Sequence, residues 1–198
     1  VIVVCGDAGH GQDSRTPGVF DPGATAAGLR ESDLTMAIVV AGAYVAKNFY
    51  AGRIQFILTR DTLTESAPLR GRTAEAMREG AQYLISCHLN SATPAATGIE
   101  TFYRSGDAGD KWLAGVVQKA ALSAFGLRDR GLKTEEDSQH ATLAILRGST
   151  ISIPACLCEF GFITNANDRA SIWGEDDRDG RIAFWSDVFD AILEREGK

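Results

Sequence analysis

The sequence predicts one α/β domain built on a mainly parallel sheet. Short apolar runs alternate with longer stretches at helical spacing, and no low-complexity linker or internal repeat divides the 198 residues. Two of the three histidines and one glutamate end such runs or follow closely on them. In an open parallel sheet the strand carboxyl ends line the ligand crevice, so ionisable residues at three such ends imply a shared site.

The elements follow in order. Val1 to Cys5 reads as the first strand, with Ile54 to Leu58, Tyr83 to Cys87, Ile99 to Tyr103, Leu143 to Leu146 and Ala155 to Cys158 as the others. Between the first two, Leu34, Ile38, Ala41 and Val45 recur at helical spacing, with Ser32 as a cap and Gly52 as a stop, which makes a strand-helix-strand crossover. Pro68 opens a second helix through Met77, and Leu113, Val116, Val117, Ala120 and Ala124 form the stripe of a third. Ile182, Trp185, Val188, Phe189 and Ile192 face inward from the last. Gly11 to Arg30 has no period and reads as a long functional loop. A second polar stretch, Arg128 to Ala141, would approach the crevice in a mainly parallel sheet.

Composition narrows the function. The formal net charge is −6 with no basic cluster, which argues against nucleic acid and against an anionic membrane surface, and no segment is long and apolar enough for membrane insertion. Cys5, Cys87, Cys156 and Cys158 all lie inside apolar runs and read as small buried hydrophobes, not disulfides or a zinc knuckle. The first residue is Val1, so any export signal is expected to have been removed or left out, and its absence says nothing about location.

Chemistry points to His10 in Asp-Ala-Gly-His-Gly and His88 in Ser-Cys-His-Leu-Asn-Ser. Hydrolytic zinc sites take three nitrogen or oxygen ligands, commonly two His and one carboxylate, and leave a position for water. Asp7, Asp21, Glu31 and Asp33 all compete for the third place; Glu31 is chosen because a crossover returns the helix start to the top of the first strand. The competing reading of Glu31 is a carboxylate favoured by the helix dipole. Glu159 ends an otherwise apolar run, and burial would suit it to shuttle a proton. Arg147 either neutralises Glu159 or holds a substrate carboxylate, and Asn90 is a second candidate for orienting substrate. His140, in the polar stretch, reads first as solvent-exposed.

In this order the motifs resemble the zinc-dependent N-acetylmuramoyl-L-alanine amidases of the type 3 family, found in bacterial autolysins and phage endolysins. The resemblance rests on Asp7 to Gly11, Asp-Pro-Gly-Ala at Asp21 to Ala24, Glu31 and Ser86 to Ser91. It continues through Gly-Ile-Glu-Thr-Phe-Tyr at Gly98 to Tyr103, Arg-Gly-Leu-Lys at Arg130 to Lys133, Leu143 to Arg147 and Pro154 to Asn165. It implies a mixed, largely parallel six-stranded sheet with about five helices on both faces, spanning residues 1–198 as one catalytic domain. It further implies one Zn2+ held by His10, Glu31 and His88, with Glu159 as the catalytic glutamate.

The implied reaction is cleavage of the amide between the lactyl group of N-acetylmuramic acid and L-alanine, with peptidoglycan or muropeptides as partner. Action at the bacterial cell wall follows, from the periplasm or outside for an autolysin and from the host cytoplasm for an endolysin. Gln12 to Phe20 separates two motifs that adjoin in many relatives, a loop placed to shape or cover the cleft. No spare amphipathic segment suggests an inhibitory helix. The alternatives are a zinc peptidase acting within the stem peptide, since the same groups hydrolyse any amide, and a silent muropeptide-binding module.

Overall fold

The computed structural model describes residues 1–139, 142–147, 151–173 and 177–198. Six strands form the main sheet: β1 (Ile2–Ala8), β6 (Ile54–Leu58), β7 (Tyr83–Asn90), β8 (Ile99–Tyr103), β9 (Asp129–Thr134) and β10 (Ala155–Phe162). Their order is β6-β1-β7-β10-β8-β9. Four run parallel, while β8 pairs antiparallel with β10 and β9 parallel with β8. The carboxyl ends of β1, β7 and β10 therefore share one sheet edge with the amino ends of β8 and β9.

Two short hairpins, β2 (Gly11–Gln12) with β3 (Phe20–Asp21) and β4 (Thr25–Ala26) with β5 (Leu29–Arg30), occupy the long first loop. The Gln12 to Phe20 insertion is tied down from the side, since Ala67 and Leu69 N–H groups donate to the carbonyls of Gln12 and Ser14 at 3.1 and 3.0 Å.

The two sheet faces are covered unequally. Residues of one parity on each strand, such as Val4, Ile85, Cys87, Cys156, Cys158 and Phe160, pack under α1 (Glu31–Phe49), α3 (Ala108–Phe125) and α5 (Asp177–Arg195). Phe184, Trp185 and Phe189 centre this core, and Trp185 donates its indole N–H to the Ile38 carbonyl at 2.7 Å. The opposite parity, with Cys5, Leu84 and Leu157, packs under α2 (Leu69–Arg78) and the segment holding Ile145 and Leu146. Beyond that cover, this same face carries the polar groups described below. A further helix, α4 (Ala166–Trp173), follows β10. Among the described residues the α/β class, the six-stranded main sheet and the five α-helices match the sequence expectation, and the four cysteines are buried and free.

Three sequence expectations need correction. Leu143 to Leu146 is a turn, not a strand: Leu146 and Arg147 N–H groups return to the Leu143 carbonyl, and Ile145 and Leu146 lie buried over the sheet face. The sixth strand is instead β9, Asp-Arg-Gly-Leu-Lys-Thr, which an apolar-run criterion misses because an edge strand has a solvent side to keep polar. Ser32 does not cap α1. Carbonyls of Ala24 and Pro22 accept from the N–H groups of Glu31 and Ser32 at 2.9 and 3.0 Å, so folded-back loop backbone does a cap's work and the N-cap residue is Arg30.

Candidate active site

Past the end of β1 the chain turns through Gly9 into His10, which holds a left-handed φ of 63°. That conformation is costly for a residue with a Cβ and persists only where its surroundings enforce it. Two buried guanidinium groups do so. Arg60 donates to the carbonyls of Ala8 and Gly9 at 3.2 and 3.0 Å, and to Ser32 in the first turn of α1 at 2.9 Å. Arg72 donates to the carbonyls of Ala8 and His10 at 2.7 and 2.6 Å and pairs with Asp7 at 3.0 Å.

Asp7 also accepts from Thr59 and Ser86. Burial would raise its pKa, but Arg72 and the two hydroxyls outweigh that and hold it below the ordinary value. Two buried arginines face one buried aspartate here; burial, aided by the Arg72 charge, brings Arg60 down to about 10.

On this platform His10, Glu31 and His88 converge, with one ligating atom from each lying within 4.8 Å of the others, a group that could hold a metal ion. Glu31 is the first residue of α1, and its two oxygens accept from the N–H groups of Ala24 and Leu89 at 2.9 and 3.0 Å. The same oxygens face His10 Nε2 at 3.0 Å and His88 Nδ1 at 2.9 Å. His10 Nδ1 donates to Asp21 at 2.9 Å, leaving Nε2 as the nitrogen turned to the cluster. Burial opposes charge on His10, but Glu31 and Asp21 outweigh it and raise the imidazole pKa.

Glycine supplies the room. A Cβ on Gly9 would stand 2.5 Å from the His88 ring, and one on Gly23 would stand 2.6 Å from His10 and 2.7 Å from Glu31.

Of the four carboxylates weighed from sequence, only Glu31 joins the cluster. Asp21 orients His10 and takes Arg15 from the inserted loop at 3.1 Å, Asp7 anchors Arg72, and Asp33 pairs with Arg30.

From His88 a row of side chains crosses the sheet on one face. Glu159 is its register partner on β10, and Glu100 is the partner of Glu159 on β8. The Oε2 atom of Glu159 is buried and has no hydrogen-bond partner among the described residues. Burial, with the charges of Glu31 and Glu100, pushes this carboxyl well above the usual range. Glu100 is fully engaged: Asn90 donates to one oxygen at 2.8 Å, and Arg130 and Lys133 each reach the other at 2.6 Å.

Arg147 does not join this row. It pairs with Glu135 at 2.9 Å, just past the carboxyl end of β9, and the reversed direction of β8 and β9 puts that end at the opposite sheet edge from His88. The same reversal carries the described residues beyond Lys133 in the Arg128 to Ala141 stretch away from the crevice, leaving Arg130 and Lys133 beside Glu100. His140 lies outside the described residues.

A family model described as N-acetylmuramoyl-L-alanine amidase matches residues 3–192. The chain belongs to the N-acetylmuramoyl-L-alanine amidases. Amidases of this family are peptidoglycan hydrolases. The chain is 34% identical over 163 residues to the sporulation-specific N-acetylmuramoyl-L-alanine amidase of Bacillus subtilis, a match covering 82% of this chain and 56% of that protein. It is 32% identical over 171 residues to the endolysin of Bacillus phage SPP1, covering 83% of this chain and again 56% of the relative. A solved N-acetylmuramoyl-L-alanine amidase from Clostridium difficile 630 superposes with a TM-score of 0.81 at 28% identity, over 100% of this chain and 98% of that one. The chain thus spans little more than half of those two curated relatives.

Sequence reasoning assigned no role to Arg60, Arg72, Glu100, Arg130 or Lys133 in this amidase fold. For Glu100 a signal existed, a lone carboxylate inside the apolar and aromatic run Ile-Glu-Thr-Phe-Tyr. For the buried arginines none did, because their partners are backbone carbonyls, which carry no residue-type signature.

Proposed function

We propose that residues 1–198 are one catalytic domain that hydrolyses the amide between the lactyl group of N-acetylmuramic acid and L-alanine of the peptidoglycan stem, acting at the bacterial cell wall. The observation that carries this reading is the adjacency of the His10, Glu31 and His88 cluster to Glu159, a carboxylate with one buried, unpartnered oxygen.

The donor set suits Zn2+. Ligand atoms about 2.0–2.1 Å from a tetrahedral ion stand roughly 3.3 Å apart, close to the 2.9–3.0 Å contacts that Glu31 makes with the two imidazoles. Bound there, zinc would activate a water and polarise the scissile carbonyl.

The rest is the work of the chain. Asp21 keeps His10 in the tautomer that turns Nε2 inward, and the Leu89 and Ala24 amides hold the Glu31 carboxylate in place. Glu159, with its raised pKa, accepts a proton from the attacking water and delivers it to the leaving nitrogen of L-alanine. Arg60 and Arg72 hold the backbone that aims His10.

The test pairs elemental analysis with product analysis. Near-stoichiometric zinc and release of peptides beginning with L-alanine from purified peptidoglycan, abolished by chelator and restored by Zn2+, are the expected results. Fragments cut elsewhere in the stem would replace this reading with a peptidase, and release unaffected by chelator would remove the metal from it.

A further inference from the structure

We propose that Arg130 and Lys133 form an anion subsite for a free carboxylate on the peptide side of the substrate, two or three residues beyond the scissile amide. The proposal rests on the amidase reading and adds a specificity element to it.

The charge balance is the first argument. Both cations lie 2.6 Å from the same oxygen of Glu100, and the other oxygen is taken by Asn90. Two positive charges sharing one atom in this way stand no more than about 5 Å apart and repel each other, and one carboxylate neutralises only one of them. Glu100 thus leaves one of the two cations without a carboxylate bonded to it alone.

Access is the second argument. Glu100 is 5% exposed, whereas the Arg130 and Lys133 side chains are 28% and 29% exposed, so the anchor is buried and the cations meet solvent. Arg130 engages Glu100 through Nε and lies 4.9 Å from the Phe162 ring; its two Nη groups have no hydrogen-bond partner among the described residues. Such a guanidinium edge matches a carboxylate with two parallel hydrogen bonds.

Direction is the third argument. Glu159 returns its proton to the leaving amine, so the amine side of the substrate lies on the Glu159 side of the His10, Glu31 and His88 cluster. The sheet order β7-β10-β8-β9 then carries the peptide over Glu159 toward Glu100 and the two cations. Two strand spacings separate His88 from Glu100, about 10 Å, and an extended peptide advances about 3.3 Å per residue, which places the second or third residue at the cations. The sugar side leaves in the other direction and does not meet them.

The test uses two matched muramoyl peptides beginning with L-alanine, one with free carboxylates on its second and third residues and one with both amidated. Specificity is read as the ratio of kcat/KM for the free-acid peptide to that for the amidated one. The parent chain is expected to favour the free acid. Arg130→Gln and Lys133→Gln, each of which leaves Glu100 one cation, lower that ratio about tenfold, the scale of one hydrogen bond to a charged group. Arg130→Lys keeps most of it. A purely structural role would slow both peptides together and leave the ratio unmoved, and that result overturns the subsite while the amidase reading stands. Failure of the parent chain to release L-alanine amino termini from either peptide overturns the amidase reading and the subsite with it.

Discussion

The two halves of the polar row are built on opposite principles. Around β1 and β7 the carboxylates and backbone carbonyls are saturated: Glu31 bonds to two amides and faces two imidazoles, Asp7 holds three partners, and the carbonyls from Ala8 to His10 end on arginines. On β10, by contrast, Glu159 keeps a buried oxygen with nothing bound to it. On the proposed function the first half would hold a metal, which demands fixed ligand atoms, and saturation would serve that. On the same reading the second half would move a proton, which demands a carboxyl with a free lone pair and a raised pKa, and that would account for an unpaired group and its cost in stability.

The sharpest way to separate the halves is Glu159→Gln. Turnover of peptidoglycan is expected to fall about 10²–10⁴-fold, the usual contribution of a general base, while zinc content stays at the parent level. Loss of zinc in this variant would mean that the halves are not separable.

On the saturated side, Arg72→Met leaves Asp7 buried with its charge uncompensated. A loss of about 3–5 kcal/mol in unfolding free energy is expected, read by urea denaturation in the presence of chelator. A change below about 1 kcal/mol would show that the backbone platform does not depend on this guanidinium.

A gentler probe is Gly23→Ala. The added methyl meets His10 and Glu31 at a backbone φ of 67°, and zinc affinity should drop about tenfold in a competition titration, in the range of outer-shell perturbations.

The smallest effect, and the one that reports the opposite designs directly, is pH dependence without metal. Asp7 is held low, so its stabilisation is present above its unfolded pKa of about 3.9 and is lost as pH falls through its folded value. Glu159 is held high. Between its unfolded pKa of about 4.3 and its folded value the native state retains a proton that the unfolded chain has released, so stability falls as pH rises across that window. Glu159→Gln lacks this loss, and its Tm advantage over the parent should widen as pH rises above the unfolded value. A constant gap would mean that Glu159 is not raised.

What the sequence by itself determined is what short-range patterning encodes. Apolar runs marked five of the six sheet strands, helical spacing marked four of the five α-helices, and histidines beside Gly9 and Cys87 marked where two strands open onto a crevice. Glu31 was legible as the start of a helix, which a crossover brings back over β1.

Tertiary structure decided whatever depends on pairing direction and on partners far along the chain. The antiparallel step from β10 to β8 sends Arg147 to the far edge and brings Arg130 and Lys133 to Glu100, and no local period records a strand's direction. The roles of Asp7 and Asp21, alike in sequence as candidate ligands, were separated by Arg72, 65 residues from Asp7, and by the His10 ring that loop folding sets against Asp21. An edge strand as polar as β9 shows itself only in place, since its hydrogen bonds to β8 and not its side chains make it a strand.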